Sequence, residues 1–326
     1  MPGAGRAIAG VAVTVIAALM IILAFRGHGN DPPPRPAGTT AAEIGGAPAS
    51  AATAPSAQPS PTVSPGRTAS PAAPALPARH ADPLAGDATA YLAGRSGTVL
   101  AAVYDLATGQ SWSLGGDGAA QDEASVVKLN ILETLLAQRG SGGLSPSDQA
   151  LAQAMIDDSD NDAATSLWDE AGGDAGLTAY NERAGLTSTS PSPCVVCAGF
   201  PWPGWGLSTT LPQDQLALLK QLVAPGPRPL LSGAERSYAL SLMEHVTPDQ
   251  RWGVSGGVPA GVTVALKNGW LPLNAASTDW QINSVGWVSG DGRDYLVAVF
   301  STGNPTEQYG IDTINALSAG IWSAMR

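Results

Sequence analysis

Metal-binding and redox-active residues are scarce in this sequence. Two cysteines and three histidines occur among its 326 residues. Cys194 and Cys197 form the segment CVVC, and His245 is the only histidine beyond residue 80. A zinc site combines several Cys, His and carboxylate ligands, and no second Cys or His pair is present to complete one. We therefore expect neither a metal centre nor an organic cofactor.

The CVVC segment has prolines before it and Gly199 and Pro201 after it, which indicates a loop. A thioredoxin-like pair would instead open a helix after a strand. Two interpretations remain for Cys194 and Cys197: a disulfide within the loop, or two free thiols.

Positive charge is also scarce. Lys and Arg number 16 against 27 Asp and Glu, so the formal net charge is −11. Binding to a phosphate backbone depends on clustered Lys and Arg, and the sequence has no such cluster. We therefore exclude nucleic acid as a partner. Hydrophobic residues make up 44 % of the chain, which is enough to build a core.

One long apolar run lies near the N-terminus. Residues 7–25 read AIAGVAVTVIAALMIILAF, and about 20 such residues span a bilayer as a helix. A cleaved signal peptide is the competing interpretation, but its apolar region would be shorter and would end in a small-x-small site. We predict a transmembrane anchor at 7–25, a cytoplasmic tail at 1–6, and an extracytoplasmic location for the rest.

Residues 26–84 are rich in Pro, Ala, Ser and Thr. Such a segment has too little apolar bulk to fold, and frequent proline keeps it extended. We predict a disordered linker that holds the domain at 85–326 away from the membrane.

Within 85–326, strand patterns occur at both ends and helix patterns in the middle. The predicted strands are 98–104, 110–114, 262–266, 281–288 and 295–301, and the predicted helices are 126–139, 145–157, 162–171, 177–184, 212–222 and 311–325. This order predicts an α+β fold, in which both chain ends share one antiparallel sheet that helices flank.

Ser125 and Lys128 precede a strongly apolar helical stretch. Their i, i+3 spacing places both on one helix face. A serine hydroxyl is a weak nucleophile until a base takes its proton, and a buried lysine can be that base. Free N–H groups at the helix start would favour an oxyanion. Serine is also a common helix cap, so the pair alone does not decide.

Two further segments carry polar residues. Ser159, Asp160 and Asn161 lie between two predicted helices, where they could relay a proton and hold a substrate amide or could simply form a turn. Lys267 ends a predicted strand and is followed by Asn268 and Gly269. The lysine could face an anionic substrate, and the glycine would allow close approach to the backbone. The alternative is an exposed lysine before a turn.

Together these segments resemble the active-site motifs of the serine β-lactamase and penicillin-binding-protein superfamily: Ser-x-x-Lys, Ser-Asp-Asn and Lys-Thr-Gly. The segments TVLAAVYDLATGQSWSLG and LSPSDQALAQAMIDDSDNDAATSLWDEAGG also resemble that family, so the likeness covers most of 85–326. It implies an α+β fold with an all-helical subdomain. It also implies these roles: nucleophile Ser125, proton acceptor Lys128, proton relay Ser159, substrate binding by Asn161, Asn268, Gly269 and Trp270, and assistance to a substrate carboxylate by Lys267. The oxyanion hole would be the N–H groups of Ser125 and Trp270.

Two departures from that family limit the likeness. Asn268 stands where the family usually has Thr or Ser, whose hydroxyl contacts a substrate carboxylate. Residues 187–210 contain no Asp or Glu, whereas class A β-lactamases carry there a Glu that activates water for deacylation. This segment has instead Trp202 and Trp205, which we expect to form an apolar wall beside the nucleophile.

We therefore expect a membrane-anchored serine hydrolase that forms an acyl-enzyme on a cell-wall D-Ala-D-Ala-type peptide, a related amide or ester, or a β-lactam. Two alternatives keep the same fold: a binding module with weak catalysis, and a β-lactamase with another deacylation base. A Ser-His-Asp triad would have to use His245, which lies in a segment that looks like a helix end.

Overall fold

The computed structural model describes residues 80–115, 118–274, 276 and 278–326. The predicted tail, the predicted anchor and nearly all of the predicted linker lie outside these residues. Within the part that is described, no helix is long and apolar enough to cross a membrane.

Eight α-helices occur in this described part of the chain. In chain order they are α1 (Asp87–Leu92), α2 (Val127–Arg139), α3 (Pro146–Asp157), α4 (Asn161–Glu170), α5 (Gly173–Ala184), α6 (Pro212–Val223), α7 (Gly233–Glu244) and α8 (Glu307–Ala324). Several start at caps that the sequence encodes. Ser145 accepts from the amide of Asp148 before α3, and Asp160 accepts from Ala163 at 2.7 Å before α4.

The described residues form one five-stranded antiparallel sheet and one two-stranded sheet. In chain order the seven strands are β1 (Thr98–Asp105), β2 (Ser111–Leu114), β3 (Gln121–Asp122), β4 (Thr209–Thr210), β5 (Thr263–Pro272), β6 (Trp280–Gly290) and β7 (Arg293–Asn304). The large sheet has the order β2-β1-β7-β6-β5, and β3 pairs with β4. Because β1 pairs with β7, both ends of the domain meet in the middle of the sheet.

The hydrophobic core lies on both faces of this sheet. Alternate residues of a strand point to opposite faces, and β1 shows this directly: Leu100 and Ala102 pack with the helical middle, whereas Ala101 and Val103 pack with α1 and α8. Helix α2 is buried from Val127 to Leu136 on every side, as its apolar pattern predicts. The predicted α+β class is therefore confirmed.

The predicted elements differ from the structure in several places: α1, β3 and β4 were not predicted, and α5 begins at Gly173, four residues before its predicted start. The third motif lies within β5, since that strand continues to Pro272, rather than at the end of a strand. Helix α7 was not predicted, although Ser232 and Glu235 form a capping box at its start. Helix α8 begins at Glu307, four residues earlier than the apolar pattern indicated.

Candidate active site

Ser125 lies in a 3-10 turn, Ala124–Val126, which leads directly into α2. It is half-buried, whereas Ala124 and Val126 on either side are buried. Ala124 has φ 48°, a left-handed conformation that is unusual for a residue with a side chain. Such strain is held by surrounding structure and occurs often at functional sites. The turn thus exposes one hydroxyl on an otherwise buried segment.

Strand β5 packs directly against this turn at Gly269. A Cβ at this position would lie 2.7 Å from the carbonyl oxygen of Glu123 and 2.8 Å from the amide nitrogen of Ser125. The close approach that Gly269 permits in this structure is between the strand and the turn that carries Ser125, and approach of a substrate to Gly269 stays a prediction. Asn283 of β6 also donates to the carbonyl oxygens of Asp122 and Glu123, at 2.8 and 2.9 Å. Sequence reasoning did not find Asn283.

The side chain of Lys128 reaches the second motif. Its Nζ donates to Ser159 Oγ at 3.1 Å, to Asn161 Oδ1 at 2.8 Å and to the carbonyl oxygen of Ser159. Burial lowers the pKa of Lys128 well below its usual value, and the positive charge of Lys267 lowers it further; Asp160 acts in the opposite direction. A lysine whose pKa is lowered by burial and by a neighbouring cation releases its proton more readily than a free lysine, and its deprotonated form can accept a proton.

Ser159 connects the two lysines. Its Oγ lies 3.1 Å from Lys128 Nζ and 2.9 Å from Lys267 Nζ. Ser159 has φ 59°, again left-handed, just before Asp160 caps α4. Burial lowers the pKa of Lys267 to about 7. Ser159 Oγ therefore bridges two amines whose proton affinity has been reduced.

Asn268 does not face the cleft. Its Nδ2 donates to the carbonyl oxygens of Gln250 and Trp252, at 2.6 and 3.2 Å, and its Oδ1 accepts from Ser284 Oγ at 2.6 Å. Only 1 % of the residue is exposed. The expectation that its amide contacts substrate is corrected: the amide ties the segment before β5 to the sheet.

A cleft of about 330 Å³ lies over these groups. Ser125, Ser159, Asn161 and Trp270 line it. Lys128 and Lys267 do not, but both contact the lining residue Ser159. The cleft's two charged lining residues in the described part of the chain are Asp158 and Glu307. Neither carboxylate was predicted to belong to the site.

The loop between α5 and α6 forms one wall of the cleft. Phe200, Trp202 and Trp205 line the cavity from this loop, as expected of an apolar wall. Cys194 and Cys197 are joined in a disulfide, which resolves the two interpretations of CVVC. A Cβ at Gly204 would lie 2.3 Å from the Cys197 sulfur, so the loop folds tightly on the disulfide.

His245 lies outside the site. It follows α7 as its C-terminal cap, and its ring Nδ1 lies 2.6 Å from the carbonyl oxygen of Ser241. It does not line the cleft, so the arrangement does not support a Ser-His-Asp triad. No group of His, Cys, Asp and Glu within the described ranges could hold a metal ion.

Comparisons with known proteins show the family and the fold of this chain. Residues 146–325 match the model of the family described as "Beta-lactamase enzyme family". A curated protein of Mycobacterium tuberculosis, with a counterpart in Mycobacterium bovis, carries the name "Putative lipoprotein LppW". It is 30 % identical over 223 residues, which is 66 % of this chain and 66 % of the relative. The match thus spans slightly under two thirds of that relative's length.

Solved structures share the fold at low sequence identity. The TLA-1 extended-spectrum β-lactamase has a TM-score of 0.62 at 16 % identity, covering 72 % of this chain and 95 % of that chain. A class A β-lactamase from Mycobacterium abscessus has a TM-score of 0.59 at 21 % identity, covering 72 % and 96 %. A β-lactamase from Xanthomonas campestris has 0.60 at 19 %, covering 73 % and 96 %.

Proposed function

The chain belongs to the β-lactamase enzyme family, and we propose that it is a membrane-anchored, extracytoplasmic serine hydrolase that forms an acyl-enzyme through Ser125. The observation that carries this proposal is the convergence at one cleft: Ser125 and Ser159 line it, and both lysines contact Ser159. A serine nucleophile needs a nearby base, and we propose that Lys128, three residues after Ser125, is that base.

The proposed acylation begins when neutral Lys128 accepts the proton of Ser125 and Ser125 Oγ attacks the substrate carbonyl carbon. The negative charge that develops on the carbonyl oxygen is stabilised by the N–H groups of Ser125 and Trp270. The bond to the leaving group then breaks. Lys128 passes its proton through Ser159 Oγ, at 3.1 Å, to the departing nitrogen or oxygen. Lys267 stabilises the relay hydroxyl from 2.9 Å.

Deacylation restores the enzyme. A water molecule attacks the acyl carbon, its proton goes to Lys128, and Ser125 leaves with that proton as a free hydroxyl. Residues 187–210 supply no carboxylate for this step, so we expect acylation to be faster than release. The alternative of a β-lactamase with another base would have to use Asp158 or Glu307, the acids that line the cleft.

A binding module with little turnover is the second candidate. The hydrogen bonds of Lys128 Nζ go to Ser159 and Asn161, and none goes to Ser125 within the described residues. If this geometry persists when substrate binds, the nucleophile stays inactive. The substrate would then be held without forming a covalent bond.

Cell-wall peptide, related amides or esters, and β-lactams are the proposed substrate classes, and the apolar run at 7–25 is the proposed anchor. The relative's name describes a lipoprotein. The first cysteine of this sequence is Cys194, and the anchor that we propose is the apolar run at 7–25.

Intact-mass measurement of the protein tests this function. The chain is incubated with a penicillin and, separately, with a p-nitrophenyl ester, and the mass and the release of product are followed over time. We expect a Ser125-dependent acyl adduct with at least one donor. Ser125→Ala removes it, and Lys128→Ala slows it by about two orders of magnitude or more. Ser323→Ala is the matched control, because this exposed serine of α8 bonds only Ala319 in the described structure.

The hydrolase is refuted if no donor gives an acyl adduct and no donor gives Ser125-dependent product. Binding of a peptidoglycan fragment without an adduct would favour the binding module. Rapid release that depends on Glu307 or Asp158 would favour the β-lactamase with another base.

A further inference from the structure

In the family that this chain resembles, a hydroxyl next to the third-motif lysine receives a substrate carboxylate. Here that position is Asn268, and each polar atom of its amide already has a buried partner: Gln250 and Trp252 accept from Nδ2, and Ser284 donates to Oδ1. Turning the amide toward the cleft would leave those groups unpaired, which is costly in a buried site. The side-chain amide of Asn268 therefore has no free hydrogen-bond donor for a substrate carboxylate in this structure.

Lys267 offers little more. Its residue is 1 % exposed, and its Nζ already donates to Ser159 Oγ and to the carbonyl oxygen of Asn268. It lies beneath Ser159 and does not line the cleft. Burial also lowers its pKa to about 7, so its positive charge is reduced in neutral solution.

The charge that does line the cleft is negative. Asp158 and Glu307 line it, and no Lys or Arg does so in the described part of the chain. Arg251 is adjacent to the lining residue Gln250, but its guanidinium donates to the carbonyl oxygen of Glu244 at 3.2 Å. Burial of Glu307 raises its pKa and thus works against its ionisation, whereas Asp158 is exposed. A carboxylate entering this cleft would meet acids of its own sign and no exposed cation.

The rest of the lining is apolar and aromatic. Phe200, Trp202, Trp270 and Pro272 face the cavity, and an adjoining depression of about 530 Å³ continues past Phe200 and Trp202 to Leu273. Trp202 and Leu273 are two of three large hydrophobic residues exposed on the described surface, and Val196 of the same cleft-wall loop is the third. Aromatic faces bind apolar groups and also cations.

We propose that this cleft selects acyl donors whose leaving group is apolar and neutral or positively charged, and that it disfavours those with a carboxylate beside the scissile bond. This inference rests on the proposed function and narrows its substrate class toward esters and amides without that carboxylate. The reaction is unchanged: the acyl carbon exchanges its bond to the leaving group for one to Ser125 Oγ, and then for one to water oxygen. The leaving group departs with a proton.

A matched series of thioesters tests this selectivity on the full chain. Phenylacetylglycine is esterified to the thiol of 3-mercaptopropionic acid, of its methyl ester, or of its 2-aminoethyl amide. The three donors share the acyl group and differ at the far end of the leaving group: anionic, neutral or cationic. Hydrolysis releases phenylacetylglycine and one thiol, which is measured colorimetrically. We expect kcat/KM for the neutral and cationic donors to exceed that for the anionic donor about tenfold or more.

Glu307→Gln tests the effect of cleft charge on donor preference while nearly preserving the shape of the cleft. The variant should reduce the preference for the cationic over the anionic donor by about fivefold, because a negative charge near the leaving group is removed. Glu182→Gln is the matched control; this exposed glutamate of α5 does not line the cleft, and we expect it to leave all three rates unchanged.

The outcomes distinguish failure of the leaving-group selectivity from failure of the proposed Ser125 hydrolase. Ser125-dependent thiol release that is equal or faster for the anionic donor overturns the selectivity and leaves the proposed hydrolase standing. Absence of both Ser125-dependent release and a Ser125 adduct with all three donors overturns the hydrolase, and the selectivity with it.

Discussion

Glu123 is a buried carboxyl group two residues before the proposed nucleophile Ser125. It is fully buried, and its Oε2 accepts from Gln215 Nε2 at 3.3 Å. Its Oε1 has no hydrogen-bond partner among the described residues. Burial raises the pKa of Glu123 to about 8; the bond from Gln215 opposes this, and the charge of Asp214 adds to it. The group is thus protonated at neutral pH, and its ionisation would place a charge beside the turn that holds Ser125.

This raised pKa makes stability depend on pH. The folded state keeps a proton that the unfolded state loses above pH 4.5, so the stability that is fully present below pH 4.5 is lost as the pH rises to about 8. The loss is about 1.4 kcal/mol per pH unit for each such group. We expect Glu123→Gln to reduce this slope. The stability of the variant relative to the native chain should therefore be higher at pH 8 than at pH 5.

Urea unfolding at both pH values measures the effect of Glu123→Gln, with Glu182→Gln as an exposed control that keeps the native slope. Equal slopes for the Glu123 variant and the native chain would show that Glu123 does not hold the extra proton.

At the scale of elements, the position of the nucleophile depends on the contact between β5 and the 3-10 turn Ala124–Val126. Gly269 allows this contact, since a Cβ there would meet backbone atoms of Glu123, Ser125 and Val126 at 2.7–2.8 Å. Backbone atoms cannot move aside as a flexible side chain can. The glycine therefore sets how close the third motif comes to the first.

Gly269→Ala should separate the strand from the turn. We expect the acylation rate to fall about tenfold or more, since small displacements of a nucleophile are costly, with stability lowered by ~1–3 kcal/mol. Gly320→Ala in α8 is the control. A Cβ at that position meets nothing within 4 Å, and we expect up to ~1 kcal/mol of stabilisation. Native acylation by a folded Gly269→Ala chain would contradict this account.

The wall loop is the second element that shapes the cleft. The disulfide joins residues only three apart. It therefore restricts the unfolded chain very little and acts mainly on the local shape of the loop. Gly204, folded against it, donates to the carbonyl oxygen of Val195 at 2.6 Å and precedes the cleft residue Trp205. Loop shape and cleft wall are therefore coupled.

The double variant Cys194→Ser, Cys197→Ser should loosen that wall. We expect KM for apolar acyl donors to rise about threefold to tenfold, with ~2 kcal/mol or less lost in stability. A reducing agent should raise KM in the native chain and leave the double variant unaffected. If KM stays constant in both comparisons, the wall does not depend on the disulfide.

At the scale of the whole molecule, the proposed anchor and linker determine where the catalytic domain works. We expect the full chain to remain in the membrane fraction after a carbonate wash, and a chain lacking residues 1–26 to be soluble. Replacing Ile16 and Leu19 with Asp should also release it, because each charge costs ~2.5–3.5 kcal/mol at the centre of a spanning helix. Release of the native chain by carbonate would contradict the anchor.

The sequence by itself determined the fold class and indicated the residues that we propose carry the chemistry. Apolar periodicity located most strands and helices because it depends on local backbone geometry, which repeats along the chain. The resemblance of three short motifs to those of a known family singled out Ser125, Lys128, Ser159 and Lys267 as candidates, since each motif has a local structural setting. The sequence also indicated that residues 187–210 hold no carboxylate.

Only the tertiary structure decided how those residues meet. Asn268 points into a buried network, Gly269 contacts the nucleophile turn, and Asn283 holds that turn from a distant strand. Glu307 enters the cleft from the last helix. These contacts join segments far apart in the chain, and the pairing of strands and the direction of a buried side chain depend on what packs on the other side.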